Sequence, residues 1–168
     1  MNGSGLAMVA LGAVTLFAAH QDGPSVDAPA GARPILEVKG EGVQIYACTQ
    51  TAQGLKWVFK APEAKLLDAQ GKVAGSHFAG PSWKLLNGGG VEGELMASRP
   101  SPDEGSVAWL LLRAKGGTAV GSLSSVAFIR RSKTRGGAAV SAGCEGDADL
   151  GKLERVPYEA TYTFYSAQ

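Results

Sequence analysis

Few residues in this chain could do chemistry, and most of them fall in one stretch, Gly75-Ser76-His77-Phe78-Ala79-Gly80-Pro81-Ser82-Trp83. Two glycines and a proline shape the backbone there, glycine by adopting angles other residues avoid and proline by fixing its own. The turn they form should present His77, with Phe78 and Trp83 as aromatic neighbours. An imidazole in that setting can act as general acid or base, or can hydrogen-bond a ligand. The structural alternative is that Phe78 and Trp83 fill the core while His77 hydrogen-bonds the turn. The other histidine, His20, falls at the junction between the leader and the linker expected below, so His77 is the one imidazole of the β domain.

A nucleophile would need a Ser or Cys beside an oriented base. Ser76 and Ser82 flank His77, but no G-x-S-x-G elbow occurs: Ala139-Val140-Ser141-Ala142-Gly143 lacks the first glycine. His77 is therefore the only catalytic candidate. One histidine cannot assemble the usual zinc shell. Glu145, Asp147 and Asp149 alternate like the start of a calcium loop, yet Leu150 stands where the turn needs glycine and Val156 where the bidentate acid belongs. No metal is expected, and that segment reads as a solvated acidic turn. Arg130-Arg131-Ser132-Lys133-Thr134-Arg135 could meet an anion or form a solvated strand end. Of the three tryptophans, Trp109 and Trp57 read as core, whereas Trp83 is left open as a stacking platform for a sugar or other flat ligand. The candidate ligand-binding residues are His77, Phe78, Trp83 and Arg131.

The elements that must position these residues follow from the chain as a whole. At 168 residues it is the size of one domain, and 24 glycines favour many turns over long helices. A net charge of +1 gives no electrostatic footprint for nucleic acid. Leu6 to Ala19 is an almost unbroken apolar run, too short to span a bilayer, with small residues for cleavage near Ala18 to Ala19. Residues 1–19 are expected to be a signal peptide, 20–34 a Pro/Gly/Ala-rich linker, and 35–168 a single β domain without a transmembrane segment, secreted or periplasmic and monomeric. In that oxidising compartment Cys48 and Cys144 form a disulfide by default, two separate buried thiols being the alternative.

Within the domain, apolar residues mostly alternate and the gaps are filled by Gly, Pro, Asp and Ser, the pattern of strands joined by turns. Val43, Ile45 and Ala47 are expected on the core face of one strand, opposite Gln44 and Tyr46. Leu55, Trp57 and Phe59 should face the core from the next, with Lys56 and Lys60 in water. Residues 61–69 carry helix formers, but Lys65 to Asp68 is read as strand and Asp68-Ala69-Gln70-Gly71 as a turn. Val107 to Leu112 predicts a strand buried on both faces, and Val156 to Tyr165 a strand that stacks Tyr158, Ala160, Tyr162 and Phe164 on one face. The fold expected is an all-β antiparallel sandwich or barrel of about eight to ten short strands with little helix.

In their order, Gly42-Val43-Gln44-Ile45-Tyr46-Ala47-Cys48, Trp57-Val58-Phe59, Ala61-Pro62, His77 to Trp83, Trp109 to Leu112, Thr134-Arg135-Gly136-Gly137, Cys144 and Tyr158 to Tyr165 resemble a secreted family of bacteria and fungi catalogued as domain of unknown function 3455. The resemblance runs from about Ile35 to Tyr165. It implies an exported domain with a Cys48–Cys144 bridge, and no activity. Some fungal members are labelled malate dehydrogenases, and Gly88 to Gly93 does satisfy G-x-G-x-x-G. The fingerprint also needs a buried strand before it, a helix after it and an acid about twenty residues on. Pro100 and Pro102 follow instead, and position 113 is arginine. The glycines read as a loop between strands, and no cofactor is expected.

Three functions remain open at this level. The first is a non-catalytic module that binds a small molecule, glycan or envelope component through His77, Phe78, Trp83 and Arg131. The second is a hydrolase or isomerase with His77 as acid or base, which would need a carboxylate or hydroxyl partner and a pocket. The third is a structural or matrix protein with no cleft.

Overall fold

The computed structural model describes residues 24–168. The segment expected to be a signal peptide and the first residues of the expected linker, up to position 23, lie outside the described residues. Eight strands run in sequence, each antiparallel to the next: β1 (Arg33–Thr51), β2 (Gly54–Leu67), β3 (Val73–Phe78), β4 (Ser82–Leu85), β5 (Gly90–Arg99), β6 (Trp109–Ala114), β7 (Val126–Gly136) and β8 (Leu153–Ser166). β8 pairs with both β7 and β1, so the sheet closes into an up-and-down barrel. Closure leaves no unpaired edge. Of the two all-β architectures expected, the chain forms the barrel.

A period-2 strand in a barrel sends alternate side chains into the lumen. β8 follows the expectation: Tyr158, Ala160, Tyr162 and Phe164 are all buried. The register places Ile129 of β7 and Leu36 of β1 beside Phe164, and Arg131 and Val38 beside Tyr162. The glycine at position 40 is needed for this packing, since a Cβ there would lie 2.6 Å from Cε2 of Tyr162. The turn after β2 also forms as expected, with Asp68 Oδ1 accepting hydrogen bonds from the backbone N–H groups of Gln70 and Lys72.

One end of the barrel is packed shut. The connection from β6 to β7 contains a short 3-10 turn, Gly121–Leu123, whose Leu123 joins the core with Leu66, Leu85, Val91, Leu112, Ile129 and Phe164. The glycines at 88–90 let this turn approach. A Cβ on Gly89 would collide with Ser122 Oγ, and Gly90 exchanges backbone hydrogen bonds with Val120 at 3.1 and 2.8 Å. The G-x-G-x-x-G run is thus a close approach of two chain segments; Gly90 to Gly93 continue as strand β5, not helix.

The other end carries the β1–β2, β3–β4, β5–β6 and β7–β8 connections. The longest of them, between β7 and β8, is tied down by the Cys48–Cys144 disulfide, by Tyr46 Oη donating to the Gly137 carbonyl at 2.6 Å, and by Trp57 Nε1 donating to the Ala142 carbonyl at 2.9 Å. Within it the acidic turn is as expected: Asp149 accepts from the N–H groups of Glu145 and Gly146 and pairs with Lys152.

Several side chains fall on the opposite face from the one expected. On β1 the lumen holds Gln44 and Tyr46, which are buried, while Val43 and Ile45 are only partly so. Trp109 is on the outside of β6, with the guanidinium of Arg99 5.3 Å and that of Arg130 5.6 Å from its ring. Trp57 is half-buried beneath the β7–β8 connection, whereas Trp83 is the core tryptophan. β6 is nevertheless buried on both faces at Leu111 and Leu112. The segment before β1 lies along this side of the barrel, where Asp27 pairs with Arg130 at 3.0 Å and Val26 is buried.

Candidate functional site

At the loop-bearing end the barrel opens into a cavity of about 670 Å³, lined from β1 by Gln44 and Tyr46, from β2 by Phe59, Lys60 and Pro62, from β3 and its turn by His77 and Pro81, and from β7 by Arg131. Leu110, Val107 and Ala139 also contribute to the wall, with Ser106 beside them. Two bulges shape it. Ile45 pairs with Ala61 but Tyr46 pairs with Phe59, so Lys60 is the extra residue and is turned toward the mouth. A second irregularity follows Arg131, where pairing jumps from Ser132–Thr161 to Arg135–Glu159.

His77 sits at the bottom. It is 3 % exposed, and its ring stacks on Trp83 at 4.5 Å between centroids and 12° between planes, with Tyr162 at 4.9 Å. Nδ1 lies 2.8 Å from the Ser82 carbonyl oxygen. A carbonyl only accepts, so Nδ1 carries the proton and Nε2 keeps its lone pair. Burial pushes the imidazole pKa down to about 4 against the opposing pull of the Ser82 carbonyl, and the charge of Arg131 lowers it further. The ring is neutral at physiological pH.

Arg131 occupies the centre of the polar end. Its Nε donates to the Ala108 carbonyl at 3.0 Å, and its charge acts on His77, Tyr46, Tyr158 and Tyr162 alike. Tyr158 and Tyr162 share a hydroxyl contact at 3.1 Å, and burial raises the pKa of both, that of Tyr162 well above the usual phenol value. Beside them Gln44 is 1 % exposed, and its Nε2 has no hydrogen-bond partner among the described residues.

Of the four residues singled out in the sequence, the structure brings His77 and Arg131 to one cavity. Trp83 lies behind His77, buried and out of reach of a ligand, and supports the ring. Phe78 points out of the barrel and is 43 % exposed. Gln44, Tyr46 and Lys60 were missed because polar residues alternating with apolar ones read as a solvent face. In a barrel with a wet end that face can be the lumen, and only strand closure reveals it.

No Asp or Glu lines the cavity, and the hydrogen bond made by His77 goes to a backbone carbonyl, so no acid–base pair is assembled. Among the described residues no group of three or more His, Cys, Asp or Glu could hold a metal, and no helix is long and apolar enough to cross a membrane.

The model of a family described as protein of unknown function (DUF3455) matches residues 29–166, which takes in the whole barrel and every residue of the cavity. No curated protein and no solved structure matches the chain.

Proposed function

Since the chain belongs to the DUF3455 family, whose description names no activity, we propose that it is an exported, monomeric, non-catalytic barrel that holds a small organic molecule in the open end of its lumen. The single observation behind this reading is the cavity of about 670 Å³ around His77 and Arg131, within the usual range for small-molecule sites. Eight strands leave just enough interior for one such ligand. The lining has the usual character: apolar walls from Phe59, Pro62, Pro81, Val107 and Leu110, with a few convergent polar groups. A glycan is less well suited, because Trp83 offers no face to the cavity. The disulfide agrees with an oxidising compartment outside the cytoplasm.

Thermal-shift screening of small organic molecules tests the reading, with Ala139→Trp as the control. Ala139 is on the rim of the cavity, so an indole there should occupy the space without disturbing the packed end. Ligands are expected to raise the melting temperature of the wild-type protein and not that of the variant. Equal shifts in both proteins, or none in either, would refute the cavity as the site.

A further inference from the structure

Resting on that reading of the cavity, we infer that its ligand is an organic carboxylate: an oxyanion seated on Arg131, borne on an apolar body that lies against the apolar remainder of the wall. The Arg131 side chain is inside the barrel, since the register sets it between Leu110 of β6 and Tyr162 of β8. Among the described residues it makes no ion pair. The Ala108 carbonyl takes Nε and the Tyr162 hydroxyl lies within reach of the guanidinium, which still leaves terminal N–H donors without a charged acceptor. The guanidinium is partly buried and has no carboxylate beside it, and a ligand oxyanion is the partner that would satisfy it best, with two parallel hydrogen bonds.

Two further donors border the same space. Lys60, turned to the mouth by the β2 bulge, also makes no ion pair among the described residues. Gln44, buried in the wall, has its Nε2 without an acceptor. Three donors, two of them cations, surround a cavity whose lining contains no carboxylate, so the missing group is an acceptor with negative charge. The rest of the lining bears on the remainder of the ligand. Phe59, Pro62, Pro81, Val107 and Leu110 offer no polar side-chain atoms, so they fit a hydrocarbon or aromatic body and give an inorganic anion nothing to rest on.

The test is isothermal titration of the full processed chain with two matched pairs, octanoate against octanamide and phenylacetate against phenylacetamide, at pH 7.5. Each amide keeps the shape of its acid and removes the charge. In at least one pair the acid is expected to bind about tenfold tighter or more than the amide, the usual advantage of a charge-assisted contact. Arg131→Gln should bring acid and amide to within about threefold of one another. Lys60→Gln, at an exposed position and therefore safe for folding, should weaken the acid about two- to fivefold and leave the amide unchanged. If acid and amide bind equally in the wild-type protein, or if Arg131→Gln retains the preference, the anion assignment is wrong while the cavity reading survives. If none of the four molecules binds at millimolar concentration, both fall. Should Arg131→Gln fail to fold, the wild-type ratios and Lys60→Gln decide.

Discussion

The imidazole of His77 lies flat on the indole of Trp83, centroids 4.5 Å apart and planes 12° from parallel. The two residues face each other directly across the β3–β4 ladder. This stack divides the barrel: below it the lumen is filled by Trp83, Phe164, Leu112 and Ile129, and above it lie the groups that border the cavity. His77 thus forms the floor of the cavity, its neutral ring held in place by the hydrogen bond from Nδ1 to the Ser82 carbonyl.

That floor makes the fold sensitive to acid. The folded pKa of His77, about 4, lies below its usual 6.5. Above pH 6.5 the ring is neutral whether the chain is folded or unfolded and contributes no pH dependence. Between pH 6.5 and 4 the unfolded chain binds a proton that the folded one refuses, so stability falls as pH falls. Urea unfolding should show a loss of about 2 kcal/mol between pH 7 and pH 5 from this residue alone. His77→Phe should remove that slope, and an unchanged slope would mean the ring is not the buried, neutral group described.

The disulfide should matter to the site as well as to stability. It closes a loop with 96 positions between its ends, for which chain entropy gives about 4–5 kcal/mol. It also anchors the connection that contributes Ala138 and Ala139 to the rim. Replacing both cysteines, Cys48→Ser with Cys144→Ser, is expected to lower the unfolding free energy by about that amount and to weaken ligand binding. Full-strength binding in the double variant would show that the rim holds its shape without the bridge.

Gly40→Ala tests the packing of the lumen. The added methyl would press on the ring of Tyr162, which is 1 % exposed and held between His77 and Trp83. Overpacking at such a position should cost about 1–3 kcal/mol in denaturant unfolding. A neutral result would mean that Tyr162 has room to withdraw.

Phe78→Ser separates the sequence view of the 75–83 stretch from the structural one. Phe78 stands outside the barrel, so the change should leave ligand affinity unaltered and stability within about 0.5 kcal/mol. A large loss of affinity would place the site on the outer face.

What could be read in advance, and what could not, follows from how a barrel uses alternation. β8 was legible because Tyr158, Ala160, Tyr162 and Phe164 are all large or apolar at one parity. The β2–β3 turn was legible because Asp68 and Gly71 supply its chemistry. β1 misled, since Gln44 and Tyr46 look like a solvent face and yet line the wet end of the lumen. The tryptophans misled for a related reason: Trp109, in an apolar run, is accommodated outside by Arg99 and Arg130, and Trp83, beside a turn, is the one buried. His77 and Arg131 could be singled out by type, but their meeting depends on closure between strands 54 residues apart in the chain, which no local pattern carries.

The most direct test of the central claim is a two-dimensional NMR titration of the isotope-labelled protein with the best ligand from the thermal-shift screen, following backbone amides, the His77 ring nitrogens and the Arg131 Nε–H. Perturbations are expected to gather on Gln44, Tyr46, Lys60, His77 and Arg131, with the packed end around Leu123 unmoved. Shifts centred on Phe78 and the outer face, with the His77 ring and Arg131 unchanged, would contradict it.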